Sequence, residues 1–469
     1  MSIYYDYRDD DSSEGQNIRA LISAFERRSP ETYFDVDSLD KIAFHYFESG
    51  RFEEALSAID QILSVQPFSA YTWLKRGVLL GNLCRYEDSH QSLEKALSLN
   101  PHDSEILLNM GLTLEALGCD DEAVKRFDEA VRLDPLNEDA NFHLGCASAR
   151  LGRIEEAVAN LQMCADRNPE HQDVWFELGY CYDILQDFEA SLEAYSHQID
   201  LDPYSCETWF NKGVVLTKLG RMEEALHCYD LTLDIDPGFI PGYHNRGNTL
   251  ALFGRFEEAI ECYQEILDRL GDDAQAYCNM ALAAAELDEL DRSIHLFRKS
   301  LSIEPDFAMA WHGLGCCYTE LGRHRLAVRA HTKATELSGD NLDFWCCRAD
   351  AELIAGYKRK AVKSFRRMTE LLPDDHRVWM EYASVLSQNG KTREACKAYE
   401  RAIKLDPECP TAWYQYSELL FMLGKVDLCL DALSKSFELN PEYKKRFRKH
   451  CPPEIYNHPR FRERVGIDH

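Results

Sequence analysis

The sequence of 469 residues is acidic, with 81 Asp or Glu residues against 52 Lys or Arg residues and a formal net charge of −29. Such an excess of carboxylates disfavours attraction to nucleic acids and to anionic membrane surfaces, and no segment approaches the ~18 consecutive apolar residues that a membrane-spanning helix requires. The first residues, MSIYYDYRDDD, are acidic where a signal peptide has basic and apolar regions. The 17 cysteines contain no C-x-x-C pair, as is typical of a reducing compartment, and we therefore expect a cytoplasmic protein.

Residues 1–35 form an acidic flank that contains one predicted amphipathic helix. Ser13 and Gln16 have the spacing of a capping box. Apolar residues then recur along one helical face: Ile18, Leu21, Ile22 and Phe25. Because this face needs a surface to cover, the helix either caps the segment that follows or is a mobile arm that a binding partner displaces. The sequence leaves both interpretations open.

Residues 36–443 repeat with a period of 34 residues. Proline marks this period, with glycine in two places: Pro67, Pro101, Pro135, Pro169, Pro203, Pro237, Gly271, Pro305, Gly339, Pro373, Pro407 and Pro441. We number the positions of each unit from 1 to 34 so that these residues occupy position 32. Twelve repeats then follow one another without an insertion or deletion: 36–69, 70–103, 104–137, 138–171, 172–205, 206–239, 240–273, 274–307, 308–341, 342–375, 376–409 and 410–443.

Certain positions of the repeat carry one kind of residue. Position 8 is Gly, Ala or Ser and position 20 is Ala, Ser or Cys, a pattern that lets two helices approach closely. All seven tryptophans occupy position 4, and position 24 is mostly aromatic, which we interpret as large side chains between helical hairpins. Glycine near position 15 is expected to end the first helix of each repeat, helix A, and proline at position 32 to end the second, helix B.

A 34-residue period with a W-x2-L-G-x2-Y, A-x3-F, P pattern is the signature of tetratricopeptide repeats. The chain resembles this family over residues 36–443. The resemblance implies an all-α fold, an α-solenoid in which helix-turn-helix hairpins form a right-handed superhelix with helix A on its concave face.

Three repeats depart from these patterns. Repeat 7 has Gly271 in place of proline, repeat 8 has Ala284 and Asp288 at positions 11 and 15, and repeat 10 has Glu352 at position 11. Such departures mark either softer junctions or positions where packing was given up for binding.

Residues 444–469 reverse the charge of the chain, with eight Lys or Arg residues against three acidic ones. Tyr443, Phe447 and Cys451 recur at helical spacing, and Phe461 and Val465 suggest a second short turn. We expect a basic segment that caps repeat 12 with its apolar residues and leaves its cations in solvent.

Motifs of catalysis and of cofactor or metal binding are missing from the sequence. It contains no phosphate-binding glycine loop, no G-x-S-x-G, no H-E-x-x-H and no Cys/His spacing typical of zinc sites. His324 and His331, or Cys346 with Cys347, could be imagined as ligands, but we interpret them as packing or surface residues. The sequence therefore predicts a protein that is not an enzyme and has no cofactor or metal.

The resemblance also indicates a binding surface, because positions 2, 5, 6, 9, 12 and 13 of helix A line the groove in this family. Here the predicted groove is acidic at both ends and rich in amides at its centre. The predicted peptide-binding residues are Asp173, Glu177, Tyr180, Phe210, Asn211, His244, Asn245, Asn248, Asn279, Leu282 and His312. Asparagine at position 6 of repeats 6, 7 and 8 could hold an extended peptide backbone, because an amide both donates and accepts hydrogen bonds.

These observations predict a protein-protein interaction scaffold that binds an extended basic or neutral segment of a protein partner, and neither nucleic acid nor membrane. The cationic clamp by which some members bind a terminal carboxylate is missing, since Arg377 is the one cation at positions 2 and 5. The alternative is a subunit that positions a substrate for a separate enzyme such as a glycosyltransferase. The sequence leaves the oligomeric state and the identity of the partner open.

Overall fold

The computed structural model describes residues 13–27, 34–444 and 447, and for residues 13–17 it describes the backbone alone. Every regular element in these ranges is an α-helix. The chain divides into two compact units, Met1–Pro237 and Gly238–His469, here called the first and the second unit.

The first unit contains the N-terminal flank and repeats 1 to 6. Its described helices are α1 Ser13–Glu26, α2 Val36–Glu48, α3 Phe52–Val65, α4 Ala70–Asn82, α5 Tyr86–Leu99, α6 Ser104–Ala116, α7 Asp120–Leu133, α8 Glu138–Arg150, α9 Ile154–Arg167, α10 Val174–Ile184, α11 Phe188–Leu201, α12 Cys206–Lys218 and α13 Met222–Ile235. From α2 onwards, even-numbered helices are the A helices and odd-numbered helices are the B helices.

The second unit contains repeats 7 to 12 in the same alternation. Its described helices are α14 Ile240–Leu252, α15 Phe256–Leu270, α16 Ala274–Glu286, α17 Leu290–Ile303, α18 Ala308–Glu320, α19 His324–Leu337, α20 Leu342–Ile354, α21 Lys358–Leu371, α22 His376–Gln388, α23 Thr392–Leu405, α24 Pro410–Met422 and α25 Val426–Leu439. Within each unit every helix packs on the next one along the chain. This is the packing of an α-solenoid, so the predicted all-α fold class is confirmed.

The ends of the A helices have clear local causes. In most repeats the residue before helix A accepts a hydrogen bond from a backbone N–H of the first turn, as an N-cap does: Asp35, Ser69, Asp103, Asn137, Ser205, Asp273, Asn341 and Asp375. Position 15 has a left-handed backbone in all twelve repeats. It is glycine in nine of them, and Cys84, Gln186 and Asp288 adopt φ of 56° to 62° in the others.

The small residue at position 8 lies under the large residue at position 24 of the same repeat. A Cβ atom added to Gly111 would lie 2.3 Å from the ring of Phe127, and one added to Gly213 would lie 2.7 Å from Tyr229. Position 24 therefore packs inside the hairpin. It also contacts the next hairpin, as the sequence predicts, because the ring of Phe127 stacks on His143 of repeat 4 with centroids 5.7 Å apart. Where position 20 is serine, as at Ser89, its hydroxyl donates a 2.7 Å hydrogen bond to the carbonyl of position 8.

The tryptophans at position 4 hold the turn that precedes their own repeat. Each indole N–H donates to the backbone carbonyl of position 32, six residues earlier, at 2.8–3.0 Å. At Trp345 the acceptor is the carbonyl of Gly339, so the bond forms without proline at position 32. The tryptophan column therefore fixes the junction between repeats by a hydrogen bond as well as by its bulk.

Both flanks contribute apolar side chains to the terminal repeats. Leu21, Ile22 and Phe25 of α1 pack on the core of repeat 1, and Arg51 forms a 2.9 Å ion pair with Glu26. This packing favours the capping role of α1; the suggested capping box lies on side chains outside the described residues.

At the other end, Tyr443 and Phe447 pack on the core of repeat 12, with the rings of Phe437 and Phe447 5.7 Å apart. Cys451, Phe461 and Val465 lie outside the described residues.

The irregular residue of repeat 10 is accommodated by pairing. Glu352 is fully buried, and its carboxylate accepts hydrogen bonds from Arg348 at 3.1 Å and from Ser364 at 2.8 Å. A buried carboxylate is tolerated when it is paired and hydrogen-bonded. The role of this departure is therefore packing inside the hairpin.

Candidate functional site

Adjacent A helices lie side by side within each unit and present a continuous row of side chains. In the first unit α4, α6, α8, α10 and α12 contact one another in sequence, and in the second unit α14, α16, α18 and α20 do so. We call the surface formed by positions 2, 5, 6, 9, 12 and 13 of these helices the A-face.

Two registers connect neighbouring A helices across this face. Position 9 of one repeat meets position 6 of the next, as Asn248 meets Asn279, with Nδ2 of Asn279 donating to Oδ1 of Asn248 at 3.1 Å. Position 12 meets position 13 of the next repeat, as Lys218 meets Asp183 at 2.7 Å. Arg150 forms the equivalent ion pair with Glu115. These pairs neutralise two carboxylates, Asp183 and Glu115, at position 12 of the predicted groove.

The remaining acidic zone of the first unit centres on Glu177 in α10. Its carboxylate is half-buried and forms no hydrogen bond or ion pair with a described residue. Burial raises the pKa of Glu177; the charge of Arg150 lowers it in part, and Asp173 adds to the increase. Asp173 itself is exposed, and Tyr180, one turn further along α10, is 47% exposed.

Phe210 and Asn211 continue the A-face into α12. Phe210 is half-buried, with its ring 6.0 Å from that of Tyr229, and packs in one cluster with Phe176 of α10. Asn211 is also half-buried, and its side-chain amide has no hydrogen bond to a residue that the structure describes. The register between positions 9 and 6 relates Tyr180 to Asn211, which gives the first unit a patch with an aromatic ring, a carboxylate and an amide.

The predicted asparagine row is not uniform. In the second unit, Asn248 accepts from the Tyr263 hydroxyl at 2.7 Å as well as from Asn279, and Oδ1 of Asn279 accepts from Gln275 at 2.8 Å. The amide of Asn245 has no such bond among the described residues. Asn248 and Asn279 are therefore bonded to each other, whereas the amides of Asn211 and Asn245 form no hydrogen bond to a described residue.

The other predicted residues of the second unit provide half-buried rings and one exposed apolar side chain. His244 lies 6.5 Å from the ring of Tyr263, and burial lowers the pKa of His244 although Asp273 acts against it. Leu282 is 39% exposed. His312 stacks on Phe344 with ring centroids 4.6 Å apart, and burial lowers its pKa.

His312 also belongs to a cluster that the sequence analysis missed. Nε2 of His312 lies 3.6 Å from Sγ of Cys316, and the ligand atoms of these residues and Cys347 all lie within 4.8 Å of one another. A hydrogen bond with Cys316 lowers the pKa of the Cys347 thiol to about 7 and raises the pKa of Cys316 far above its usual range. The repeat numbering contained a signal for this cluster, because His312 and Cys316 occupy positions 5 and 9 of one helix A and Cys347 occupies position 6 of the next.

Of the candidate ligands His324, His331, Cys346 and Cys347 that the sequence suggested, Cys347 alone belongs to this cluster. His331 occupies position 24 and is buried under Gly315, where a Cβ atom would lie 2.6 Å from its ring. Cys346 packs against the core of repeats 10 and 11, and its neighbour Cys347 is the one that faces Cys316. A second group, His376 with Asp406 and Cys409, joins helix A of repeat 11 to the turn that follows α23.

A separate cleft of about 820 Å³ lies beside the B helices α11 and α13 of the first unit. Its lining includes Glu193, Trp209, Lys212, Glu224 and His227. No residue predicted for peptide binding is among its lining residues. This cleft is therefore separate from the A-face.

Comparison with protein families gives matches along most of the chain. The N-terminal TPR repeats region of Psidin matches residues 41–150. Tetratricopeptide repeat families match residues 142–205, 206–239, 245–306, 308–341 and 376–419. A comparison with curated protein sequences finds no match.

Several solved structures are similar to the chain. YrrB, described as a TPR protein with an unusual peptide-binding site, is 22% identical, with 40% of this chain and 96% of YrrB covered and a TM-score of 0.38. A MamA structure is 22% identical, with coverage of 37% and 94% and a TM-score of 0.35. The structure of Naa15/Naa10 bound to HypK-THB is 16% identical, with coverage of 92% and 78% and a TM-score of 0.34.

The chain belongs to the tetratricopeptide repeat family. Members of this family bind protein or peptide partners and are generally non-catalytic, so the repeats indicate a protein-interaction scaffold. Among the described helices, none has the length and apolar character needed to cross a membrane.

Proposed function

We propose that this chain is a non-catalytic scaffold that binds an extended, basic or neutral segment of a protein partner on the A-face. The observation that carries the proposal is Glu177, a half-buried carboxylate that has no partner among the described residues. A desolvated charge without a partner is costly, and a Lys or Arg side chain of a ligand would offset that cost.

The groups around Glu177 fit an extended peptide. The half-exposed ring of Tyr180 offers an amphipathic contact, as tyrosines commonly do at interfaces. The unbonded amide of Asn211 can hydrogen-bond a peptide backbone. The patch therefore combines a charge, an aromatic surface and a backbone-binding group within two adjacent repeats.

The second unit supports the same kind of binding with a different balance of groups. Asn245 offers an unbonded amide, and Leu282 adds an exposed apolar surface. Two further carboxylates follow the same register, with Asp350 at position 9 of repeat 10 and Glu381 at position 6 of repeat 11. Burial raises the pKa of both side chains. The net charge of −29 should make association with a basic segment faster at low salt.

Site-specific photo-cross-linking tests this proposal. A benzophenone amino acid in place of Tyr180 would lie on the A-face, whereas the same group in place of Tyr204, which is 80% exposed in the turn after α11, would not. A third label at His227 reports on the cleft beside the B helices. Each labelled protein is irradiated in cell extract, and the cross-linked partner peptides are identified by mass spectrometry.

We expect the Tyr180 label to capture one recurrent segment rich in Lys or Arg, with less capture at high salt. Equal capture by the labels at positions 180 and 204, or capture mainly at position 227, would move the binding surface away from the A-face. A Glu177→Lys change in the Tyr180-labelled protein should abolish capture of a basic segment. Unchanged capture would remove the role given to Glu177.

A further inference from the structure

The cluster of His312, Cys316 and Cys347 has the geometry of a set of metal ligands. All three residues are half-buried, and their ligand atoms lie within 4.8 Å of one another. Nε2 of His312 and Sγ of Cys316 are 3.6 Å apart. In a tetrahedral zinc site with Zn–S of ~2.3 Å and Zn–N of ~2.0–2.1 Å, a nitrogen and a sulfur ligand are separated by about 3.5–3.6 Å.

The repeat architecture explains why these side chains converge. His312 and Cys316 are four residues apart in α18 and therefore lie on one helical face. Cys347 lies in α20 and follows Cys316 by the same interval that separates Asn279 from Asn248, the pair that meets across two A helices in the same unit. The same three positions beginning in repeat 7 carry His244, Asn248 and Asn279, so one backbone arrangement presents an amide pair in one place and a thiol pair in the other.

The chemistry of the ligands selects the ion. Two thiolates and an imidazole suit Zn²⁺, whereas Mg²⁺ and Ca²⁺ require oxygen ligands. Asp343 and Asp350 lie near Cys347, and their charges favour a cation at this place. Both thiols are outside the fully buried core and lie on the A-face, so an ion can reach them.

We propose that His312, Cys316 and Cys347 bind a single Zn²⁺ ion on the A-face of the second unit, with a fourth position left for water or another ligand. The ion would link α18 to α20 and stabilise the junction between repeats 9 and 10. The site uses His312, which the sequence assigned to peptide binding, and it departs from the expectation that the chain binds no metal.

Cobalt provides a direct test, because tetrahedral Co²⁺ bound to thiolates has intense visible and charge-transfer absorption and is displaced by Zn²⁺. The protein of 469 residues is reduced, freed of metal and titrated with Co²⁺ and then with Zn²⁺ at neutral pH. The matched variant is Cys316→Asn with Cys347→Asn, which places in repeats 9 and 10 the amide pair that repeats 7 and 8 already accommodate. Cys346→Ser serves as the control, since it removes the adjacent half-buried thiol.

We expect one equivalent of Co²⁺ with thiolate-to-metal absorption in the unmodified protein and in Cys346→Ser. The double variant should lose this absorption, and its affinity for Zn²⁺ should fall by about 100-fold or more, beyond the 10- to 100-fold typical of changes to residues that support a ligand. Circular dichroism before the titration shows whether the double variant is folded. Zn²⁺ should raise the melting temperature of the unmodified protein and leave that of the double variant unchanged.

A gain-of-function variant keeps the test decisive if the double variant does not fold. Asn248→Cys with Asn279→Cys should complete a second His-Cys-Cys set with His244 and raise the Co²⁺ stoichiometry from one to two. Thiolate absorption that is equal in the unmodified protein and a folded double variant would overturn the proposal, as would an unmodified protein without tetrahedral Co²⁺ bands.

Discussion

At the scale of single residues, the half-buried carboxylate of Glu177 connects stability to pH. Burial raises its pKa in the folded protein above the unfolded value of ~4.3. The favourable contribution of such a group is present below the unfolded pKa and is lost as the pH rises through the folded pKa. At neutral pH the ionised side chain therefore opposes folding, a cost that a cationic ligand would reduce.

We expect Glu177→Gln to raise the melting temperature at pH 7 and to have little effect below about pH 4, where Glu177 is protonated in both states. Thermal unfolding at a series of pH values measures this difference. The control is Glu224→Gln, because the hydrogen bond from Arg221 lowers the pKa of Glu224 and the substitution should have the opposite sign at neutral pH. A melting temperature of Glu177→Gln equal to or below that of the unmodified protein at pH 7 would contradict the argument.

The asparagines of the A-face differ in what they have to offer a ligand. Asn211→Ala should weaken partner binding by roughly two- to tenfold, since one hydrogen bond contributes about 0.5–1.5 kcal/mol, and should leave the fold intact. Asn279→Ala should instead lower the melting temperature, because its bonds to Asn248 and Gln275 lie within the chain. Binding assays with the segment captured by the Tyr180 label, together with thermal unfolding, separate these effects. If Asn211→Ala lowered the melting temperature and Asn279→Ala weakened partner binding, the amide of Asn211 would not be the binding group.

At the scale of elements, the contact between helix A and helix B depends on the pairing of positions 8 and 24. Gly111→Ala would place a Cβ atom 2.3 Å from the fully buried ring of Phe127, and overpacking of this kind costs about 1–3 kcal/mol. Gly81→Ala in α4 is the matched control, because its Cβ would meet Ser89 at an ordinary 3.8 Å. Alanine also favours helix over glycine by up to ~1 kcal/mol.

Chemical denaturation of both variants measures this prediction. Gly111→Ala should lower the free energy of unfolding of its cooperative block, and Gly81→Ala should leave it unchanged or raise it. Equal losses in the two variants would mean that glycine is required for a reason other than the close approach of helix B.

The period of the sequence was sufficient to predict the helical hairpins, because glycine at position 15 and the small and aromatic columns act locally. Other features depend on side-chain geometry that the period does not contain. The bond from Trp73 to the carbonyl of Pro67 requires the folded turn, and the role of Glu352 depends on Arg348 and Ser364. The columns predicted the contact of position 24 with the next hairpin, as between Phe127 and His143, but not that position 24 also meets position 8 inside its own hairpin.

The candidate site was harder to predict for the same reason. The resemblance to the family identifies the A-face from the sequence. It does not show which of the asparagines at position 6 form hydrogen bonds within the chain. The contact between positions 9 and 6 of neighbouring repeats decides that Asn279 is engaged with Asn248 and that Cys347 meets Cys316. A pairing between residues of different repeats becomes visible once the two A helices lie side by side.

At the scale of the whole molecule, stability should be distributed along the chain instead of residing in one shared core. Helices contact their sequence neighbours within each unit, and A helices also contact the next A helix. In such an array stability is a sum of repeat and nearest-neighbour terms, so a local defect opens locally before the rest unfolds.

The Gly111→Ala chain tests this distribution by hydrogen exchange under native conditions. Amide protection should fall most in α6 and α7, fall less in the adjoining α5 and α8, and remain unchanged in α2 and in α22 to α25. The Gly81→Ala chain, measured in parallel, should retain its protection pattern throughout. Because only nearest neighbours share contacts, the loss should decay within about two repeats of the substitution. Uniform loss of protection across all twelve repeats would show a single cooperative unit and would contradict the nearest-neighbour description.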